Sequence, residues 1–410
     1  MQIAFMIISI LGLIFFMNKK RKFDFFTLAY ISAIVYFLPG FYGYVFLPGW
    51  IQSSILKETY LVMCLVLVSI GTGAIIYDII NINKKEQKKI SVEGSQNILF
   101  FITIISFLGL TLMIITMGSS LLSANKQIVL SNGNRWSLLW ENTILLGIVF
   151  AFITEKKKLF WLFFIMMSFH IYMGFRSTAA IAIISIMTHW LNLKGKQRLL
   201  INNIKSLVIG IVVAIFFFSY KQIYIPIKLG MWDLVVQKIS SIQFYVDSIR
   251  YSEPFGIQVI LNEVIRTDFK VGLSHFKSIA YQVILFANKL GGDSTSFNSL
   301  FQNAMFPKVN YGMGSNIWAE MWASGGWGLL ILFIIFYVII LSIGSKLMEN
   351  IDSNIKPLIL ISMSYWSFYI HRNSLVYEIN LIKRVICIWT ICIMISAIIP
   401  KISKNTFLKG

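Results

Sequence analysis

The chain has 410 residues, of which 57% are hydrophobic and only 13% charged, and its mean hydropathy is +0.75. Those values lie outside the range of water-soluble globular domains and imply an all-α, polytopic integral membrane helix bundle. The formal charge of +19 does not mark a nucleic-acid groove, because the 36 Lys and Arg are spread through short loops between apolar runs, where they read as topology signals.

Apolar runs of the length needed to cross a bilayer fall near 2–17, 23–39, 59–80, 98–117, 137–153, 159–175, 177–191, 204–220, 317–343, 357–370 and 384–400. They give about 11 transmembrane helices. The first run is followed, not preceded, by the basic cluster Lys19–Lys22, the reverse of a cleavable signal peptide, so a retained span with its N-terminus outside is expected. With that orientation the inner segments carry 20 Lys and Arg and the short outer segments 7. The imbalance places the C-terminus inside. Cys64, Cys387 and Cys392 all lie in apolar runs and imply neither a disulfide framework nor a metal site.

The chain then divides into residues 1–220 with eight spans, an outer loop over 221–316, and residues 317–410 with three spans and a short inner tail. The loop is too apolar for a linker. Met231–Tyr251, Phe255–Ile265 and His275–Leu290 have near-helical apolar spacing, and Ser252-Glu253-Pro254 reads as a helix start. These amphipathic helices are expected to roof the bundle as a mobile lid. The polar stretch Gly291–Ser296 follows them.

Three outer turns open helices behind polar residues: Arg176-Ser177-Thr178, Gly314-Ser315-Asn316 and Arg372-Asn373-Ser374. Each presents free backbone N–H groups and the positive end of a helix dipole, and two add a guanidinium that can fork onto phosphate oxygens. One such turn alone reads as an ordinary hairpin between spans, and only the recurrence with arginine gives the anion-binding reading equal weight. Together they suit a diphosphate, with Ser315 or Asn316 as the N-cap.

Glu320 lies about one turn, ~6 Å, inside the membrane edge. Two roles are open to it, general base or partner of an outer arginine. His275 and His371 are further candidate bases, His189 reads as structural, and Glu141 is expected to pair with Arg135. Asp24 and Asp78 lie near inner ends, so no acid sits at mid-depth, which disfavours an ion-driven transporter. The four histidines lack metal-ligand spacing, and no nucleotide-binding glycine loop is present.

The order of these features resembles the O-antigen and capsular polysaccharide repeat-unit polymerases (Wzy type). It comprises ten or more spans, Gly174-Phe175-Arg176 at an outer turn, one large outer loop, then Gly314-Ser315-Asn316-Ile317-Trp318-Ala319-Glu320 running into Gly325-Gly326-Trp327-Gly328, and a late outer Arg372. The spacing of arginine, ten residues and glycine found in some members is absent from the outer arginines here, so no role is carried over from it. The resemblance implies a glycosyltransferase of the bacterial cytoplasmic membrane that uses polyisoprenyl-diphosphate-linked oligosaccharides as donor and acceptor, without a cofactor. A chain-length regulator, a flippase and membrane lipids are the expected partners. Arg176, Arg372, Glu320 and His275 are then the expected catalytic residues, and Arg135, Arg250, Arg266, Ser177, Ser315 and Asn316 the substrate-binding ones. A glycan ligase with the same donor and a lipid-linked oligosaccharide flippase are the alternatives.

Overall fold

The computed structural model describes residues 1–410 except 20–22, 82–94, 124, 194–214, 216–218, 221, 285–294, 310–311, 352–353 and 399–410. The described chain is almost entirely helical. Helices α1 (Gln2–Asn18) and α2 (Phe25–Tyr36) lead through the single turn α3 (Pro39–Tyr42) into a hairpin, β1 (Tyr44–Leu47) and β2 (Ile51–Ser54). There follow α4 (Lys57–Asn81), α5 (Ser95–Met117), the short α6 (Lys126–Ser131), α7 (Arg135–Ile153), α8 (Lys157–Tyr172) and α9 (Ser177–Leu193). After residues 194–231, of which 215, 219, 220 and 222–231 are described, come α10 (Trp232–Ile239), α11 (Ile242–Arg250), α12 (Glu253–Arg266), α13 (Gly272–Tyr281) and α14 (Phe297–Met305). The chain closes with α15 (Ile317–Asn350), α16 (Lys356–Phe368), a 3₁₀ turn at Tyr369–His371, and α17 (Leu375–Ile398).

Among the described residues, α4, Asn97–Leu122, α7, α15 and Leu375–Ser396 are long and apolar enough to cross a membrane, and α1, α2 and α9 are shorter apolar helices. The expected run 204–220 lies mostly outside the described residues. So do Lys20–Lys22, the loop lysines from Lys84 to Lys89, most of Gly291–Ser296, and the end of His275–Leu290.

Two apolar cores meet at α16. Leu360 and Met363 join the cluster built from α1, α2, α4, α12 and α15. Ile361 and Tyr365 join the cluster built from α5, α7, α8, α9 and α17. Small residues let α9 approach α16: the Ser185 and Ser364 hydroxyls are 3.0 Å apart. Local chemistry sets the helix starts. Asp24 accepts from the Thr27 N–H at 2.9 Å to cap α2, and Asn134 with Ser137 forms a capping box on α7. Lys19 bridges Asp24 and Asp78, at 2.5 and 3.3 Å, tying the end of α1 to α2 and α4.

Three features differ from the sequence reading. The β hairpin breaks the all-α expectation; it pairs Tyr44 with Ser54 and Leu47 with Ile51, four residues a side. Its strands are too short to leave a period-2 signal between apolar runs, and tertiary contacts hold them. The Asn262 side chain of α12 accepts from Leu56 N–H at 2.9 Å and Thr59 Oγ1 at 3.0 Å, and donates to the Ser54 carbonyl at 3.2 Å.

The second is α12 itself, expected as part of a mobile roof but buried from Pro254 to Val264, Gly256 excepted, against β1, α2, α4 and α15. Lifting it would uncover Ile257, Ile260, Leu261 and Val264, each worth roughly 1.5–3 kcal/mol of burial. It is a fixed part of the core. The third is a break in α15 at Gly325 and Gly326, where Gly326 takes φ +61° and ψ −152°. The break frees the Ala323 carbonyl from the helical ladder, and the Val271 N–H takes it at 3.0 Å.

Candidate functional site

The turn between α8 and α9 is built around Gly174. Its φ is +99°, and a Cβ there would stand 2.8 Å from the Tyr224 hydroxyl, so backbone conformation and space both demand glycine. Tyr224 and Tyr220 donate to the Met173 and Ile171 carbonyls at 3.3 and 3.2 Å, clamping the end of α8. On the other side of the turn Thr178 Oγ1 donates to Glu141 Oε1 at 2.6 Å. Glu141 is thereby engaged with α9. The expected partner, Arg135, instead lies exposed with its guanidinium 5.9 Å from the Trp136 ring. The turn is fixed from both sides, and Arg176 is directed at the start of α12.

There the Glu253 carboxylate receives two guanidinium groups. Arg176 Nη2 lies 3.4 Å from Oε1, and Arg372 Nε lies 2.9 Å from Oε2. All three side chains are partly exposed. Two arginines on one carboxylate leave the group with net positive charge, which suits an anion approaching from the open side. Burial works against the Arg372 charge, but the Glu253 carboxylate, together with Tyr369, Tyr36 and Tyr377, offsets it and holds the pKa above the ordinary arginine value. The Arg372 guanidinium also lies 5.5 Å from the Tyr369 ring centroid.

The third outer turn joins the same place through backbone. Ser315 N–H donates to the Arg372 carbonyl at 2.8 Å, and Gly314, at φ +84°, lets the chain pass against Ile257 and Arg372. Asn316 is the N-cap of α15: its Oδ1 accepts from the Trp318 and Ala319 N–H groups at 3.0 and 3.2 Å, and its Nδ2 donates to the Ile257 carbonyl at 3.1 Å. The Ser315 hydroxyl is buried with no hydrogen-bond partner among the described residues.

Glu320 sits below this cluster, fully buried. His275 Nε2 is 3.0 Å from its Oε1, and the Leu375 N–H donates to its Oε2 at 2.8 Å. Both oxygens are engaged, which is poor geometry for taking a proton from an incoming hydroxyl. The pair instead ties α13 and the first turn of α17 to α15, and so positions the Arg372 loop. Asn373 Nδ2 reinforces that loop by donating to Glu378 Oε1 at 2.6 Å. His371, the other candidate base, is also fully buried; its Nδ1 accepts from Trp318 Nε1 at 3.0 Å, and burial pushes its pKa down to about 3. It is a neutral structural acceptor.

The structure thus brings together Arg176, Arg372, Ser315 and Asn316, with Ser177 as the first residue of α9 beside them and Glu320 and His275 as their support. The three remaining arginines stand in other settings. Arg135 is on the surface as described, Arg250 lies 4.7 Å over the Phe46 ring, and Arg266 is paired to Glu263 of its own helix at 2.8 Å, which raises its pKa. The residue missed by sequence reading is Glu253. In the sequence it belongs to the helix start Ser252-Glu253-Pro254, and nothing local says that two arginines 77 residues before it and 119 after it converge there.

Comparison with protein-family models, with curated proteins and with solved structures finds no match.

Proposed function

We propose that the protein is a polysaccharide polymerase that joins polyisoprenyl-diphosphate-linked oligosaccharide repeat units at the outer face of a bacterial cytoplasmic membrane. The observation that carries this reading is the convergence of Arg176 and Arg372 on Glu253, beside the backbone of Gly314 and Ser315. Two guanidiniums at helix starts match the charge and geometry of a diphosphate.

In the reaction, a hydroxyl oxygen of the acceptor unit attacks the anomeric carbon of the donor glycan. The bond from that carbon to the diphosphate oxygen breaks, and the electron pair leaves on the diphosphate. Because the leaving group is already a stable anion, the site needs to balance developing negative charge and needs no strong acid. Arg176 and Arg372 supply that balance. The proton of the acceptor hydroxyl goes to a carboxylate, and Glu253, partly exposed between the arginines, takes the place first assigned to Glu320. A base held by two cations is weak, which is adequate where bond breaking runs ahead of bond making.

A ligase would use the same donor and differ only in its acceptor. A flippase needs basic groups through the depth of the bundle, whereas Arg176 and Arg372 gather at one end. Lipid-linked repeat units supplied to the purified protein in vesicles should be converted to a ladder of lengths. Wild-type protein that leaves only unextended units would sink the reading. Arg176→Lys and Arg372→Lys keep charge but lose the fork, and each should slow chain growth on the order of a hundredfold.

A further inference from the structure

Helices α10 and α11 are eight and nine residues long, about 12–14 Å each, too short to cross a bilayer core of about 30 Å. Their exposed sides are nonetheless apolar. In α11, Phe244 and Ser248 face the protein, and Ser248 Oγ closes on the Phe244 carbonyl at 2.7 Å. The side opposite, which a water-facing helix would make polar, is Ile242, Val246 and Ile249, with Ile242 83% exposed. In α10, Trp232, Val236 and Ile239 repeat the same i, i+4, i+7 stripe, with Val236 63% exposed. Polar residues run along the flank: Asp233 and Gln237 in α10, then Gln243 bonded to Asp247 at 3.0 Å in α11.

The outward apolar stripes continue the kind of surface that the long helices present. Ile79 of α4 and Leu332 of α15 are 63% and 64% exposed. The pair is also joined to the arginine cluster at both ends of its contact. Phe244 packs with Tyr220, Ile223 and Tyr224, and Tyr224 is the side chain seated on Gly174. Arg250, the last residue of α11, is three residues before Glu253.

We infer that α10 and α11 lie in the plane of the membrane, with Trp232, Val236, Ile239, Ile242 and Val246 inserted into the acyl chains of the leaflet at the Arg176 end of the bundle. Amphipathic helices of this kind seat at the boundary between headgroups and acyl chains. That seating sets Glu253 and its two arginines at headgroup depth, where a phosphate-bearing lipid reaches them without leaving its leaflet. The inference stands on the apolar surface alone and holds for any reaction at the cluster.

Quenching in phospholipid vesicles tests it. In the full-length chain with Cys64, Cys387 and Cys392 replaced by alanine, a single environment-sensitive fluorophore is attached at Ile242→Cys in one protein and Gln243→Cys in another. The label at 242 should be quenched strongly by lipids brominated along the acyl chain and weakly by aqueous iodide, with the order reversed at 243. Iodide quenching at 242 equal to that at 243 would show a water-facing helix and overturn the inference. Protection of 242 from both quenchers would show that a protein, a second copy of the chain or another partner, covers the stripe, and would overturn it as well.

Discussion

Glu253 is the residue on which the site depends, because its two oxygens hold guanidiniums from opposite ends of the sequence. Removing its charge should separate catalysis from folding. Glu253→Gln keeps an acceptor for Arg372 Nε but takes no proton, so chain growth should fall roughly a hundredfold while the thermal midpoint in detergent stays near that of the wild type. Unchanged growth would remove Glu253 from the reaction. His371 makes a different prediction. Its folded pKa of about 3 is below the ordinary histidine value of 6.5, so the unfolded chain takes up a proton that the folded one refuses. The associated stability is complete above about pH 6.5 and is lost progressively as pH falls toward 3. His371→Asn retains an acceptor for Trp318 Nε1 and cannot titrate. Its midpoint should therefore decline less than that of the wild type between pH 6.5 and 4, and parallel curves would show that His371 does not carry the effect.

At the scale of elements, the broken helix α15 places Glu320 and the N-terminus at Asn316. Its first segment ends at Gly325 and Gly326, and two bonds from one neighbouring segment hold it: Val271 N–H to the Ala323 carbonyl, and His275 to Glu320. A side chain at Gly326 meets no neighbour, but the φ of +61° with ψ of −152° is a conformation that only glycine adopts without strain. Gly326→Ala should cost about 1–3 kcal/mol and lower the thermal midpoint, whereas Gly328→Ala, two residues on in regular helix and open space, should be neutral or slightly stabilising. Equal midpoints for the two variants would mean that the break is not maintained. The burial of α12 is hidden by its own polar residues. Its sequence alternates Glu253, Gln258, Asn262 and Glu263 with apolar residues, as an amphipathic surface helix does, but the Asn262 side chain is consumed by the hairpin and Glu263 by Arg266.

For the whole molecule, orientation is the property that decides which substrates reach the arginines. Helix α7 runs from the exposed Asn132 turn to the exposed Glu155 turn, so single cysteines at those positions report opposite ends of one helix. A membrane-impermeant thiol reagent added to intact cells should label Asn132→Cys and spare Glu155→Cys until the membrane is opened. The reverse pattern would put the site on the cytoplasmic side and remove the outer-face polymerase reading. Much of the architecture needed only the sequence. Among the described residues, apolar run length and sparse charge locate helices at the ten expected runs other than 204–220, to within a few residues in most, because a chain in hydrocarbon must satisfy its backbone internally and the helix does so locally. The glycine at 174, the cap at Asn316 and the nearness of Arg176 and Arg372 to helix starts were readable for the same reason, since each depends on a few neighbours in the chain. The meeting of those turns was not. The Glu253 bridge, the engagement of Glu320 by His275 and Leu375, the hairpin held by Asn262 and the burial of α12 all join residues tens to hundreds of positions apart. The packing of α12 between α2, α4 and α15 sets the Glu253 bridge and the hairpin, and the packing of α13 and α17 against α15 sets Glu320; together they turn three ordinary turns into one charged site.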